Sequence, residues 1–206
     1  MNVSVVMSVR NGEEFVRTSI ESIQSQSHSD FEFIICDDYS TDSTPDILSE
    51  YANQDSRIRI LRNYEHLGLS ASLNHAISAC QGELIARIDA DDTSMPKRIE
   101  LQRNAFLTDN DMVLCGTNGM VIDAKGKSIY PTILPICDWD IRSLCLFENP
   151  FRHSSIMMKR SAFFSSGKYN EDIDVAQDYD LWIRMMRCGK VHNLRKRLVH
   201  LRLHDA

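Results

Sequence analysis

The sequence predicts an α/β protein with a mostly parallel central sheet and helices on both faces. Over the first 107 residues, short apolar runs alternate four times with helical patterns, which is the order of a parallel sheet whose strands are joined by helices. The length of 206 residues is enough for one domain with a sizeable core. A composition of 43% hydrophobic and 25% charged residues excludes a disordered or low-complexity chain.

Four apolar runs predict the parallel strands of the first half, because buried strands in such sheets are continuously apolar. The predicted strands are Val3–Val9, Phe31–Cys36, Ile58–Leu61 and Leu84–Ile88.

Four helical patterns separate these strands. The first runs from about Glu13 to Ile23. The second starts at Thr44, which we expect to be the N-cap because proline follows it in the first turn. The third is capped by Ser70 and ends near Gly82, and the fourth begins at Pro96.

The alternation changes after Thr108, and the second half is predicted to be less regular. Its predicted strands are Met112–Thr117, Gly119–Ile122, Ser154–Met158, Val191–Leu194 and Leu198–Leu203. Its predicted helices are Asp138–Phe147 and Val175–Cys188, and a turn is expected at 123–127. No repeat and no Pro-, Gly- or Ser-rich linker divides the chain, so we expect a single domain over residues 1–206.

Charge is distributed unevenly along the chain. Residues 1–100 hold 8 basic and 17 acidic side chains, and residues 101–206 hold 15 and 12, within a net charge of −6. The acidic first half argues against nucleic acid as a partner and suits a site for a divalent cation.

The six cysteines form no C-x-x-C pair, so we expect reduced, packed thiols in a cytoplasmic protein. No apolar run approaches about 18 residues, so no transmembrane helix is expected. The N-terminus lacks a basic segment, and no signal peptide is expected either.

Polar side chains follow each predicted strand of the first half, where the carboxyl ends of parallel strands meet and ligands bind. Five of them are aspartates at the ends of only two strands. The residues are Ser8, Arg10 and Asn11; Asp37 and Asp38; Arg62 and Asn63; and Asp89, Asp91 and Asp92.

Carboxylates this close repel one another unless a cation compensates, so this edge predicts a Mg²⁺ or Mn²⁺ site. Turn chemistry explains the Asp37–Asp38 segment about as well, because aspartates favour Asx turns. No glycine-rich phosphate loop is present, so a bound diphosphate would be neutralised mainly by metal.

Six segments in this order resemble the family 2 glycosyltransferases of the GT-A fold, over nearly the whole chain. They are Val5–Glu13, Ile34–Asp42, Arg62–Leu69, Ala86–Asp92, Asn149–Ser155 and Gln177–Arg184. The resemblance implies a nucleotide-binding half at 1–107 and an acceptor-binding half at 108–206. It also implies a nucleotide-sugar donor, usually a UDP-sugar, inversion at the anomeric carbon, and Mn²⁺ or Mg²⁺ as cofactor.

The resemblance assigns roles to individual residues. Asp178 is the expected general base, and Asp91 and His204 are the expected metal ligands. His153, Gln177 and Trp182 are expected at the sugar or acceptor. The donor nucleotide is expected to contact Ser8, Arg10, Asn11, Glu13, Asp37, Asp38, Arg62, Asp89 and Ala90.

Each of these roles has an ordinary structural alternative. Asp178 can simply favour a helix dipole, His153 can be a partly buried, hydrogen-bonded histidine, and Trp182 is more often core packing. A histidine near a chain end such as His204 is more often a surface residue. The run 195–197 is a solvated basic face, or a contact with an anionic membrane.

The sequence departs from the family pattern at four positions. Ser8 and Arg10 stand where proline and an aromatic residue are common, Tyr39 where glycine is usual, and Gln177 where glutamate is usual. Two alternatives to a glycosyltransferase stay open: a nucleotide-sugar-binding module with weak or lost turnover, and a nucleotidyltransferase. The expected acceptor is a saccharide or a lipid-linked molecule, in the synthesis of a surface polysaccharide at the inner face of the membrane.

Overall fold

The structure is a computed structural model that describes residues 1–203. His204, a predicted metal ligand, lies outside the described residues. One mixed sheet forms the centre of this part of the chain, and half of it is parallel. In spatial order, the parallel strands are β3 (Ile58–Arg62), β2 (Phe31–Asp37), β1 (Val3–Val9) and β4 (Leu84–Arg87).

The other half of the sheet comes mainly from the second half of the sequence. Strand β8 (Met157–Lys159) is antiparallel to β4 and to β6 (Met112–Ile122), and β9 (Lys190–Arg202) is parallel to β6. Two short strands complete it: β5 (Thr93–Ser94) pairs antiparallel with β9, and β7 (Ser128–Pro131) with β6.

Helices cover both faces of the sheet, as the sequence predicts. Alternate side chains of β1 point to opposite faces, so Met7 packs with one set of helices and Val6 with the other. The Met7 face carries α1 (Val16–Gln24), α2 (Thr44–Gln54) and α4 (Arg98–Thr108). The Val6 face carries α3 (Leu69–Ser78), α5 (Asp138–Leu144), α6 (Arg160–Ser165) and α7 (Gln177–Met185).

Both predicted helix caps are wrong by one or two residues. The N-cap position of α2 is Ser43, and Thr44 instead accepts a hydrogen bond from the Gly12 amide at 2.8 Å. The N-cap position of α3 is Gly68, whose φ of +87° suits glycine. In both helices the expected hydroxyl contributes no cap.

In two places in the second half, two consecutive predicted strands form one long strand. Residues 112–122 form β6 without a break, and β9 runs from Lys190 to Arg202 with a register shift opposite Asn118. The segment predicted as a strand from Ser154 begins instead with a 3₁₀ turn at His153–Ser155. Strands β5 and β7 and helix α6 were not predicted.

All six cysteines are free thiols, as expected, although two of them are exposed. Cys36, Cys80, Cys115 and Cys145 are buried, whereas Cys137 and Cys188 are exposed. Across residues 1–203, none of the helices combines the length and the apolar character required to cross a bilayer.

Candidate active site

Three aspartates gather directly after β4. Carboxylate oxygens of Asp89, Asp91 and Asp92 all lie within 4.8 Å of one another. Burial, together with the charges of Asp89 and Asp91, raises the pKa of Asp92 to about 7. The crowding of carboxylates that the sequence predicted is therefore present. It includes Asp92, to which the family resemblance assigned no individual role.

Asp89 is fixed from within the sheet. The two terminal nitrogens of Arg87 donate to its two oxygens, and the Ser154 hydroxyl donates to Oδ2 at 2.7 Å. That hydroxyl also accepts the Asp89 amide proton at 2.9 Å. Burial alone raises the pKa of Asp89, but the charge of Arg87 and these hydrogen bonds hold it below its ordinary value. Asp89 is thus held ionised and in one orientation.

A cleft of about 410 Å³ lies between this cluster and the loop after β1. It brings together six of the predicted donor and metal residues, and adds Phe15 and Glu14, which were not predicted. The predicted residues that line it are Ser8, Arg10, Asn11, Asp89, Ala90 and Asp91. A cleft of this kind, with carboxylates along one wall, suits a polar ligand that carries a cation.

Two predicted donor residues fasten the loops that form this cleft. Asn11, at a left-handed φ of +50°, accepts the Thr41 amide proton on Oδ1 at 2.9 Å. Glu13 accepts the Ser43 amide proton at 2.9 Å. These bonds join the loop after β1 to the loop after β2, so both side chains shape the wall. Glu13 is not among the residues that line the cleft.

Asp38 has a fully occupied carboxylate. It accepts hydrogen bonds from the Asn63 side chain and from the Leu67 and Gly68 amides, each at 2.9 Å, and His66 Nδ1 lies 2.7 Å away. Burial raises the pKa of Asp38, but these donors outweigh it and keep the pKa low. Its contacts organise the loop before α3, which leaves little capacity for a ligand.

The neighbouring Asp37 is different. Its Oδ1 accepts the Ser40 amide at 3.1 Å, while Oδ2 receives no hydrogen bond from residues 1–203 and lies 3.3 Å from Nε of Arg62. The Asp37 side chain is 1% exposed and that of Arg62 is 59% exposed. The buried carboxylate orients the exposed guanidinium of Arg62, which can donate hydrogen bonds to a ligand with acceptor atoms.

Asp178 lies in the first turn of α7, where a carboxylate favours the helix dipole. Its Oδ2 accepts a hydrogen bond from the Asn149 side chain at 2.8 Å, and its Oδ1 accepts the Tyr179 amide at 2.8 Å. Gln177 is the first residue of the helix, and Ala176 before it has a left-handed φ of +63°. Both Gln177 and Asp178 are half-buried.

Tyr169 is close enough to Asp178 and to Asp89 for both charges to act on its hydroxyl. Its hydroxyl lies 2.7 Å from Nε2 of His153, and Asn74 bonds both its amide and its carbonyl. Burial raises the pKa of Tyr169, and the charges of Asp178 and Asp89 also raise it against the opposing charge of Arg87. Burial and then Arg87 lower the pKa of His153, so its ring is neutral at pH 7.

Trp182 does not offer a face to a sugar. It is 0% exposed and packs edge-on against Phe151 and His153, at ring-centre distances of 6.0 and 5.9 Å. The core needs a large apolar side chain at this inward position of α7. Trp182 therefore packs beneath His153 and supports it, instead of contacting a sugar as expected.

Further polar residues of the site were missed, among them Arg87, Asn149, Ser154 and Arg202. Arg202, at the end of β9, donates from its amide to Asp92 Oδ1 at 2.7 Å and from Nε to the Asp91 carbonyl at 3.0 Å. Arg87 stands two residues before Asp89 inside an apolar strand, which was an available signal, since a buried arginine needs an acidic partner. The other three are recognisable only once the fold brings them to the site.

Comparison with known proteins gives consistent results. The sequence model described as glycosyl transferase family 2 matches residues 4–167. The putative glycosyltransferase EpsE of Bacillus subtilis is 36% identical over 97% of this chain and 72% of its own length. The O-antigen biosynthesis glycosyltransferase WbnJ of Escherichia coli is 32% identical over 98% of this chain and 80% of its own.

A solved structure shows the same fold. S. aureus TarS in complex with UDP-GlcNAc superposes with a TM-score of 0.80 at 17% identity, over 100% of this chain and 60% of that one.

Proposed function

This chain belongs to glycosyl transferase family 2, and on that premise we propose that it is an inverting, cation-dependent transferase that moves a sugar from a UDP-sugar to a hydroxyl acceptor. One observation carries the proposal: three carboxylates within 4.8 Å line or border a cleft at the carboxyl end of the parallel strands. The same edge holds the ion pair of Asp37 with Arg62. Residues 1–107 would bind the nucleotide, and residues 108–206 the acceptor.

The preference for uridine rests on Asp37 and Arg62. The Watson–Crick edge of uracil offers one N–H donor flanked by two carbonyl acceptors. Arg62 is 59% exposed and supplies donors for the two carbonyls, and the buried Asp37, 3.3 Å away, orients its guanidinium, so the pair suits that edge. Structural neighbours of this fold have been solved with UDP and with UDP-GlcNAc, which supports the same donor class.

The donor set fits a hard divalent cation. The side chains of Asp91 and its neighbours offer carboxylate oxygens, the ligands that Mg²⁺ and Mn²⁺ prefer. Burial raises the pKa of Asp92, and so does repulsion by Asp89 and Asp91, which a cation would relieve. Asp91 would hold the ion, with His204 as a further predicted ligand. When bound, such an ion stabilises the negative charge that develops on a leaving diphosphate.

The chain's own residues would carry out the proton transfer and the alignment. Asp178 takes the proton of the acceptor hydroxyl while that oxygen forms its bond to the anomeric carbon. The bond from this carbon to the diphosphate oxygen breaks, and UDP leaves with the electron pair. Attack on the face opposite the leaving group inverts the configuration. His153 is neutral and bonded to Tyr169, so it can contact a sugar without adding charge.

The acceptor class is proposed from relatives and from the surface. The named relatives include enzymes of O-antigen and amylovoran biosynthesis, which supports a saccharide or lipid-linked acceptor. Arg195, Lys196 and Arg197 are exposed, and Asn193 on the same strand bonds the carbonyls of Pro135 and Pro150. Ile133 and Phe147, each within three residues of one of these prolines, are 90% and 84% exposed.

We expect this surface to bind anionic bilayers, with about 1 kcal/mol per basic residue. Vesicle flotation tests it: the protein should float with anionic vesicles and remain unbound with zwitterionic ones. Equal recovery with both would remove membrane contact from the proposal.

The transfer reaction is tested with a panel of nucleotide-sugars, with and without Mn²⁺. The correct donor should raise the melting temperature by mass action, and only with the cation present. UDP release should then follow with that donor, and Asp91→Asn should abolish both effects. Asp30→Asn, at an exposed position outside the cleft, is the matched control.

The alternatives give different results in the same experiment. A binding module without turnover would show the thermal shift but no UDP release in any acceptor mixture. A nucleotidyltransferase would release pyrophosphate from a nucleoside triphosphate and a sugar phosphate. If no UDP-sugar shifts the melting temperature, the proposed donor class is wrong.

A further inference from the structure

Arg202 contacts both Asp91 and Asp92. It is the last residue of β9, and its amide donates to Asp92 Oδ1 at 2.7 Å. Its side chain turns back, and Nε donates to the Asp91 carbonyl at 3.0 Å. These partners lie more than 100 positions away in sequence, so the contact joins the end of β9 to the loop after β4.

The guanidinium is held in place by two further carbonyls. Its Nη1 donates to the Asp123 carbonyl at 3.0 Å and to the Ala124 carbonyl at 2.8 Å, in the turn between β6 and β7. A planar guanidinium with several fixed donors suits this task, because it bonds diverging carbonyls at once while a lysine offers a single ammonium.

The same guanidinium packs against a residue of the cleft wall. Its central carbon lies 4.2 Å from the ring centre of Phe15, which lines the cleft after β1. A cation over an aromatic face is attracted by the ring quadrupole. One side chain therefore connects the acidic loop, the wall opposite it, and the end of β9.

We propose that Arg202 is a positioning residue for the Asp91–Asp92 pair, and that it sets the affinity for cation and donor without touching either. This inference rests on the proposed function. The physical reason is repulsion: Asp91 and Asp92 are neighbours in a turn close to Asp89, where like charges favour separation. Bonds from Arg202 oppose that separation before a cation arrives.

The experiment compares Arg202→Met and Arg202→Lys with Arg142→Met. Arg142 is a matched control because it also donates to two carbonyls, those of Met186 and Gly189, at a place outside the cleft. Both methionine variants should lower the melting temperature. Only Arg202→Met should weaken Mn²⁺ binding in the presence of UDP, by at least about tenfold in calorimetry, with Arg202→Lys in between.

Amide hydrogen exchange without ligand supplies a second measurement. Exchange at residues 90–94 should accelerate in Arg202→Met and stay unchanged in Arg142→Met. Wild-type Mn²⁺ affinity and wild-type exchange in Arg202→Met would overturn the proposal, as would an equal loss of Mn²⁺ affinity in Arg142→Met. A wild-type protein that binds neither Mn²⁺ nor UDP would instead overturn the proposed function, and exchange would still decide whether Arg202 holds the loop.

Discussion

The acidic loop after β4 and the acidic start of α7 are held in different ways. Asp89 and Asp92 are fixed by Arg87, Ser154 and the main chain of Arg202, and the loop lies at the end of a buried parallel strand. Asp178 is half-buried and is held by one side-chain amide, from Asn149, at a helix that begins next to a left-handed residue. A cation site requires charges to be fixed close together, whereas a base needs room for a substrate.

Because of this difference, we expect substitutions in the two regions to affect stability and turnover differently. Substitutions in the acidic loop should affect both folding and binding, because the loop is part of a buried charged network. Substitutions at Asp178 should affect turnover and leave folding nearly unchanged, because little of the core depends on that carboxylate.

The largest expected effect is the loss of turnover in Asp178→Asn. A positioned base contributes typically about 10²–10⁴-fold, so kcat should fall by that range while donor affinity and melting temperature stay near wild type. Asp174→Asn, exposed just before the same helix, is the control and should retain full activity. Unchanged kcat in Asp178→Asn would mean that another group accepts the proton.

Arg87→Met should give the largest loss of stability. Arg87 is 1% exposed, and removing one partner of a buried ion pair costs about 3–5 kcal/mol; we expect the lower end because the Asp89 side chain is 33% exposed. Denaturant unfolding measures it. Arg17→Met breaks an ion pair whose side chains are 45% and 47% exposed, and should cost at most about 1 kcal/mol. Equal losses in the two variants would show that the Asp89 network has no special role.

The parallel strands and the acidic edge, to which Arg87 and Asp89 belong, were the parts of the structure that the sequence predicted best. The four parallel strands were predicted to within one residue at each end, because each is a mainly apolar run, and β1, β2 and β4 are buried along nearly their whole length. The acidic edge was predicted for the same reason, since strand ends fix where the aspartates meet. The helix pattern was reliable as well, but the caps depended on tertiary contacts such as the bond from Gly12 to Thr44.

The second half was harder for a physical reason. Strand β6 was read as two strands because Asn118 interrupts its apolar run. In the fold, this buried side chain accepts the Leu134 amide at 2.8 Å and donates to the Arg195 carbonyl at 3.3 Å. Such bonds come from distant segments and leave no local pattern. Arg202 was overlooked for the same reason, although it stands two positions before the predicted ligand His204.

An intermediate effect is expected from pH, through His153. Burial and Arg87 lower the pKa of His153 in the folded protein, so the unfolded chain binds more protons below about pH 6.5. The contribution of His153 to stability should therefore fall as the pH drops through that range, by up to about 1.4 kcal/mol per pH unit, while Asp92, with its pKa raised to about 7, contributes in the opposite direction. His153→Gln keeps a hydrogen-bonding side chain and should remove the His153 contribution, so its slope in denaturant titrations between pH 5 and 7 should differ from that of the wild type by this amount. Equal slopes in both proteins would mean that His153 takes up its proton without unfolding.

The smallest effects concern two left-handed residues, one in each region. Tyr39 follows the Asp37–Asp38 pair with a φ of +60°, and Ala176 precedes α7 with a φ of +63°. A side chain in this region costs about 1–2 kcal/mol, and glycine relieves that cost while it adds about 0.5–1 kcal/mol of chain entropy in the unfolded state. Tyr39→Gly and Ala176→Gly should each raise the free energy of unfolding by about 1 kcal/mol or less.

The two glycine variants also sharpen the comparison between the regions. The Tyr39 ring is 49% exposed beside the proposed uridine contacts, whereas Ala176 has only a methyl group to lose. If Tyr39→Gly gains stability but loses donor affinity in calorimetry, the ring contacts the nucleotide and the strain at this position serves binding. If both variants gain stability with unchanged affinity, the left-handed turn at Tyr39 is only a connection, and donor binding rests on the acidic loop.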